Sequence, residues 1–418
     1  MIDYKNLLTK EINVVDCSGT LNYVNNIKNG SNDFVFPDQT LKCFYYAKNT
    51  NKICVFLSSI GIQRDRYPIY NRISWINHFD GIILFFDDPT RDKIKFSPSF
   101  YLGNKSNTVL QRIKTIIYGL KDRYNIDNSD ISFISSSNGG FGVLQLANEF
   151  PYSKCISYCP QFDIKIFLGP ERFNNLINKI GFSKEELELK NIQERLNALS
   201  IIENTQTKFF IYSNISCNSD KRQIDYFCKT INFNFSLGLN RINENMYLLL
   251  TEFEYFEPHS VQPNVNFTLF IENFFWDESI EFEKRYQLLQ YLLSEMKDYN
   301  QLDFNNKMII SYFSILKNSI TKFRINKLDN NLYDVYITDF VYAHFKYTSD
   351  SINIVPSLRF IKKLFNNADK LHHYAIDHKD DVIIDENNTL INIFSKYPIP
   401  IKSFSIWIYK VLSFVDVI

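Results

Sequence analysis

Three consecutive serines followed by Asn-Gly-Gly, at positions 135–140 of the run ISFISSSNGGFG (131–142), have residue types and spacing suited to covalent chemistry. A serine hydroxyl becomes a useful nucleophile when a sharp strand-to-helix turn lifts it clear of the sheet and a neighbouring base can take its proton. That turn brings backbones close together, so it requires small residues two before and two after the nucleophile, the pattern G-x-S-x-G. With Ser137 as the nucleophile, Ser135 and Gly139 occupy the small positions and Gly140 follows. With Ser136, Asn138 would sit where a small residue is needed, and with Ser135, Phe133 would. The register therefore selects Ser137, with Ser135 standing in for the first glycine. The same turn sets the amide of Asn138 at a helix N-terminus, a donor suited to a developing oxyanion. The chemistry this predicts is acyl transfer through a serine ester.

The elements that must carry this turn are legible on either side of it. LKCFYYAK (41–48), KICVFLSS (52–59), GIILFFDD (81–88), KCISYCPQ (154–161), TKFFIYSNIS (207–216) and MYLLLTEF (246–253) read as strands, several of them apolar on both faces. TVLQRIKTIIYGLKDRY (108–124) has apolar residues at helical spacing, and helices are expected from Gly139 to about Phe150, within 163–200, near DKRQIDYFCKTI and over NFTLFIENFF. Strands alternating with helices of these lengths predict a mostly parallel sheet covered on both faces. The expected fold is the α/β-hydrolase fold over residues 41–277, preceded by a lead-in over 1–40 and followed by an α+β appendage over 278–418. In the appendage, EFEKRYQLLQYLLSEMK reads as an amphipathic helix, YDVYITDFVYAHFKY as strands and SLRFIKKLFNN as a further helix.

In that fold the partners of the serine follow in the order acid, then histidine. Asp220, in SCNSDKRQ after the strand TKFFIYSNIS, is in place for the acid, ahead of Asp225 further along the next helix. His259, in YFEPHSVQP after MYLLLTEF, is in place for the general base, whereas His78 precedes the serine and is assigned a structural role. Ser137 is expected to attack an acyl carbonyl, His259 to take and return a proton, and Asp220 to orient the imidazole. The second oxyanion donor is expected from the backbone of Ser58 or Ser59, after the strand KICVFL. No metal or redox cofactor is required; the cluster His372, His373, His378 lacks diagnostic ligand spacing and reads as a solvated segment.

Bulk properties narrow the partners. The 418 residues carry 46 basic and 46 acidic side chains, a zero balance that offers no electrostatic footprint for nucleic acid or an anionic membrane. The seven cysteines are odd in number and form no C-x-x-C pair, and several lie in apolar runs, as free thiols do in a reducing compartment. The N-terminal stretch lacks the apolar core of a signal peptide and no run is long enough to span a bilayer, so a cytoplasmic protein without an integral membrane segment is expected. Aromatic residues make up 16% of the chain but are spread along its whole length, which reads as compositional drift rather than platforms for sugar rings.

YPIYNRISW (67–75), FFDDPT (85–90), FYLG (100–103), SSSNGGFG and FPYSKCISYCPQFDI (150–164) occur in an order that resembles the α/β-hydrolase-like proteins of bacterial surface-polysaccharide clusters. That group includes capsule O-acetyltransferases and the hydrolase-like component of the accessory secretion system that modifies glycoproteins. The resemblance spans roughly residues 40–275. It implies acetyl-CoA as acyl donor, a polysaccharide or glycan hydroxyl as acceptor, and Ser137, Asp220 and His259 at the triad positions. Arg72 and Trp75 match the family's RxSW segment, with a structural role implied. The chain departs from the family at Leu57-Ser58, where His-Gly is common after the oxyanion strand. Two other readings stay open at this point: a carbohydrate esterase using the same triad, and a non-catalytic hydrolase-fold scaffold. The oligomeric state is also open.

Overall fold

GIILFF (81–86) has an apolar side chain at almost every position, and in the computed structural model both faces of this strand are covered. Ile82, Leu84 and Phe86 face one core, and Ile83 and Phe85 face a second. The structure describes residues 4–18, 21–59, 68–96, 98–199, 206–253, 259, 263–294, 323–329, 332–337, 340–348 and 351–356. Two compact units result, Met1–Met296 and Lys297–Ile418.

In the first unit ten strands form one sheet: β1 (Asn13–Asp16), β2 (Gly30–Val35), β3 (Thr40–Ala47), β4 (Ile53–Leu57), β5 (Ile82–Phe86), β6 (Ile131–Ser136), β7 (Lys154–Tyr158), β8 (Lys208–Asn214), β9 (Gly238–Asn243) and β10 (Met246–Thr251). Their order is β1-β2-β3-β5-β4-β6-β7-β8-β10-β9. From β5 to β10 all neighbours run parallel, while β3 and β9 are antiparallel to theirs. The chain passes from β4 to β5 on one side, then crosses back to β6 on the other. This reversal opens a crevice at the carboxyl ends of β4 and β6, where parallel sheets place their sites. The fold is the α/β-hydrolase fold.

Helices α1 (Tyr4–Thr9), α2 (Pro89–Ile94), α3 (Val109–Tyr124), α4 (Ser137–Asn148), α5 (Ile164–Ile180), α6 (Lys190–Leu196), α7 (Asn218–Thr230) and α8 (Val265–Phe270) flank the sheet. On α3, Val109, Ile113, Ile116, Ile117 and Leu120 form the buried stripe, and a Thr108–Gln111 capping box starts the helix. Phe267, Phe270, Ile271 and Phe275 cover the opposite face together with Ile76 and Phe79. After α8 the chain continues as one π-helical turn over Ile271–Phe275. That turn buries Glu272 against Lys52, at 3.2 Å, under the amino ends of the strands.

Three strands of this sheet were not read from the sequence. β1 and β2, in the stretch taken as a lead-in, are short and polar-patterned, and they add on beyond β3. β9 (GLNRIN) is a polar edge strand with one buried position, Asn240. Helix α4 begins at Ser137 rather than at Gly139, because the elbow leads directly into the helix.

A helix covers residues 282–294, within the run read as amphipathic, and buries Leu289 and Leu292 in the second core. The second unit contains β11 (Phe323–Asp329), β12 (Leu332–Ile337), β13 (Phe340–Thr348) and β14 (Ser351–Pro356), a four-stranded antiparallel meander in chain order. The expected helix SLRFIKKLFNN and the cluster His372, His373, His378 lie outside the described residues. No helix among the described residues is long and apolar enough to cross a membrane.

Candidate active site

β6 ends at Ser136, and Ser137, the first residue of α4, takes a left-handed backbone conformation with φ 52°. A non-glycine residue pays for that conformation, and such strain is typical of a nucleophile elbow. The small residues around it have specific causes. A Cβ on Gly139 would lie 2.2 Å from Ser135 Oγ and 2.7 Å from the Leu57 carbonyl oxygen, and one on Gly140 would lie 2.8 Å from Ser157 Oγ. Ser135 takes the place of the usual glycine and uses its hydroxyl, donating to the Leu57 carbonyl at 2.5 Å and so tying β6 to β4.

The structure brings Ser137, His259 and Asp220 together. His259 Nε2 is 2.8 Å from Ser137 Oγ, and Nδ1 is 2.8 and 2.9 Å from the two oxygens of Asp220. Asp220 is 1% exposed and lies in the first turn of α7, where the helix N-terminus favours a carboxylate. Asp225 is on the exposed side of the same helix. His78 is exposed at the end of a 3-10 turn (Ile73–Asn77), and His344 belongs to β13 of the second unit. Burial disfavours the imidazolium of His259, but hydrogen bonds to Asp220 and Cys217 outweigh it and hold the ring above its usual value, up to about 10.

Asn214 ties the end of β8, which leads to Asp220, to the chain leaving β10. Its side chain accepts from Phe253 N–H at 2.7 Å and donates to the Phe253 carbonyl at 2.9 Å, while Ile215 N–H donates to the Thr251 carbonyl at 2.8 Å. The ends of β8 and β10 are thereby joined just before each loop departs.

The oxyanion side corrects one expectation. The Ser58 amide donates to the Phe86 carbonyl at 2.9 Å, as the sheet continues past β4, so it is not available to a substrate. The Ser58 hydroxyl is also engaged, donating to the Ile69 carbonyl. Ser59 is 7% exposed, and its amide makes no hydrogen bond among the described residues. Asn138 supplies its amide at the start of α4 while its side chain does separate work, accepting from Phe100 N–H at 2.7 Å.

Two motifs without assigned roles, FFDDPT and FYLG, form a buried polar network behind this corner. Asp88 caps α2 through Thr90 N–H at 2.9 Å and accepts from Ser99 Oγ at 2.7 Å and Tyr101 N–H at 2.6 Å. The Tyr101 hydroxyl reaches the carbonyls of Ser58 at 2.8 Å and Phe86 at 3.2 Å. Asp87 accepts from Ile69 N–H at 2.6 Å and from Arg91 at 3.0 Å; burial pushes its carboxyl up to about 6 against the pull of Arg91. Phe100 and Tyr101 are both left-handed, with φ of 54° and 57°. The RxSW residues make a wall on the other face of the sheet. The Arg72 guanidinium lies 5.2 Å from the centre of the Trp75 ring and 5.8 Å from that of Tyr158, and Trp75 stacks on Phe79. Burial pushes the guanidinium down to about 10, so it remains a cation at neutral pH.

One residue beside the nucleophile was not singled out from the sequence. Gln161 is fully buried in the loop after β7, with Nε2 3.4 Å from Ser137 Oγ and 3.5 Å from the Cys159 carbonyl. Its Oε1 is buried and has no hydrogen-bond partner among the described residues. Gln223 on α7 fixes this loop, accepting from the amides of Phe162 at 2.7 Å and Asp163 at 3.0 Å. The only sequence signal was its position at the end of CPQ, just past a strand. All seven cysteines are free and buried.

No family model matches the chain. No curated protein matches it either. Among solved structures, the chain is similar to the capsule O-acetyltransferase of Neisseria meningitidis serogroup A, solved as a mutant in complex with CoA, at 18% identity and a TM-score of 0.42 over 54% of this chain and 89% of that one. It is also similar to the Glycosylation Associate Protein (Gap123) complex of Streptococcus agalactiae, at 13% identity and a TM-score of 0.38 over 51% of this chain and 40% of that one. A third similar structure is a lipase/esterase from Lactobacillus plantarum, at 9% identity and a TM-score of 0.36 over 54% of this chain and 92% of that one.

Proposed function

We propose that this protein is a serine-dependent acyltransferase that moves an acetyl group from acetyl-CoA to a hydroxyl of a bacterial capsule or surface polysaccharide through an acyl-enzyme on Ser137. The observation that carries the catalytic part is the continuous chain from Ser137 Oγ through His259 to Asp220, at 2.8 Å for each link, on a nucleophile with φ 52°. The donor and acceptor rest on the ordered motifs shared with the surface-polysaccharide group.

In the acylation step Ser137 Oγ forms a bond to the thioester carbonyl while His259 Nε2 takes its proton. The negative oxygen is held by the Asn138 amide and by the amide of Ser59. The C–S bond then breaks, and the thiolate leaves with the proton from His259. In the second step His259 takes the proton of a sugar hydroxyl as that oxygen attacks the ester, and Ser137 recovers its own proton as the C–O bond breaks. Asp220 keeps Nδ1 protonated and stabilises the imidazolium in both steps. Water in place of the sugar makes the same site an esterase.

Intact-mass spectrometry after incubation with acetyl-CoA, beside Ser137→Ala and His259→Ala, tests this. A gain of one acetyl group that requires Ser137 and persists without sugar supports the transferase. Labelling by a fluorophosphonate but not by acetyl-CoA points to an esterase, and labelling by neither points to a scaffold.

A further inference from the structure

The acid–base pair has an unusual lining. Cys159, the residue after β7, is 1% exposed with φ 44°, and its thiol lies against Asp220. One ligand-type atom each of Cys159, Asp220 and His259 lies within 4.8 Å of the other two. The Cys217 thiol, at the cap of α7, lies against His259 as well. A thiol is not needed for acyl transfer.

We propose that Cys159, Asp220 and His259 form a site for a thiophilic divalent cation, Zn2+ above all, whose occupation turns off the acyl-transfer site. Sulfur, imidazole nitrogen and carboxylate oxygen are the donor set that Zn2+ selects, and a solvent molecule completes the tetrahedron. The geometry is close to what the ion needs. With bonds of roughly 2.0–2.3 Å in a tetrahedron, zinc ligands stand about 3.4–3.7 Å apart. The His259–Asp220 contact of 2.8 Å must therefore open slightly, and Cys159 must draw in from within 4.8 Å. The partly exposed edge of His259, whose side chain is 34% accessible, is the entrance.

Inhibition follows from the tautomer. A neutral imidazole bound to metal through Nδ1 carries its proton on Nε2, so it cannot take the proton of Ser137. The ion also removes Asp220 from its orienting role. Binding releases the Cys159 proton to solvent and involves no electron transfer. The inhibitory consequence rests on the catalytic reading above, whereas binding of the ion does not.

The test uses the full chain and two independent readouts. Titration with Co2+ should produce thiolate-to-cobalt charge-transfer absorption that saturates at one equivalent and is displaced by Zn2+. Cys159→Ala and Cys159→Ser should lose that band and weaken the ion by more than about 100-fold, since even outer-shell changes cost 10–100-fold. Zn2+ should block fluorophosphonate labelling of Ser137 in the wild type, a chelator should restore it, and both Cys159 variants should label whether or not Zn2+ is present. Absence of the cobalt band in folded wild type, or equal block of labelling in the Cys159 variants, would overturn the proposal. If labelling fails without any metal, the catalytic reading fails, and the cobalt band still decides the metal site.

Discussion

Gln161 Nε2 stands 3.4 Å from Ser137 Oγ inside a residue with no exposed surface, while the other end of the carboxamide has no partner among the described residues. A buried amide oxygen left without a donor costs on the order of 1–3 kcal/mol. That cost is recovered when a bound molecule offers an N–H or O–H. The expected outcome for Gln161→Leu is an unchanged or raised melting temperature with a roughly 10- to 100-fold loss in kcat/KM, corresponding to about 1.4–2.7 kcal/mol of lost stabilisation. Gln161→Glu should not rescue it. Wild-type kcat/KM in the leucine variant would show that the amide only fills space.

Asn138 separates two jobs that one side chain could confuse. Its amide lies at the start of α4, where we propose it holds the oxyanion, and its Oδ1 accepts from Phe100 N–H at 2.7 Å on the left-handed pair Phe100–Tyr101. Asn138→Ala keeps the amide but leaves the Phe100 N–H buried and unpaired. A stability loss of about 1–3 kcal/mol by urea unfolding is expected, with acylation slowed but not abolished. Complete loss of acylation at unchanged stability would mean the side chain itself meets the substrate.

The pH profile carries a sign. Burial lowers and the Asp220 and Cys217 hydrogen bonds raise the His259 value, with a net rise from 6.5 to about 10. In the proposed mechanism the neutral ring is the base, so labelling of Ser137 should climb with pH across the window from 6.5 to 10 rather than level off near 7. Cys217→Ala removes one raising contact and should move the midpoint down. By the same linkage, the imidazolium–Asp220 contact contributes stability that is fully present below 6.5 and lost as pH rises through the folded value. A midpoint unmoved in Cys217→Ala would show that the thiol has no hold on the ring.

A stop codon after Met296 should leave acyl-enzyme formation intact, because the helix over 282–294 buries Leu289 and Leu292 in the core and is retained. We propose the second unit as an acceptor-binding or oligomerisation module, so the truncated protein should lose activity on long acceptors, read by acetyl transfer to polymer against transfer to a monosaccharide. Full polymer activity in the truncated chain would dismiss that role.

Glu272 and Lys52, at 3.2 Å, offer a check on the fold alone, far from the elbow. Lys52→Met leaves a carboxylate that is 2% exposed without its cation, and a loss of about 3 kcal/mol in urea unfolding is expected. Double replacement by Lys52→Met and Glu272→Leu should recover most of it. A loss in the double variant equal to the sum of the two single losses would mean the pair contributes nothing by pairing.

By itself the sequence determined the parallel core and the register of small residues around Ser137. Strands buried on both faces are largely apolar, as β4 and β5 are throughout, and the nearest atom to a side chain at Gly139 would be Ser135 Oγ, two residues before Ser137. The order of strands then placed Asp220 and His259 after the right elements. The strands β1 and β9 were illegible because edge strands are half-solvated and keep polar residues, and β2 because polar residues break its alternation of buried and half-exposed positions. Only the tertiary structure decided that the Ser58 amide is consumed by Phe86, that Asp88 and Tyr101 brace that corner, and that Gln161 and Cys159 stand beside the triad. Those facts depend on contacts between residues tens of positions apart, and local pattern carries no record of which hydrogen bonds a loop will spend on its neighbours.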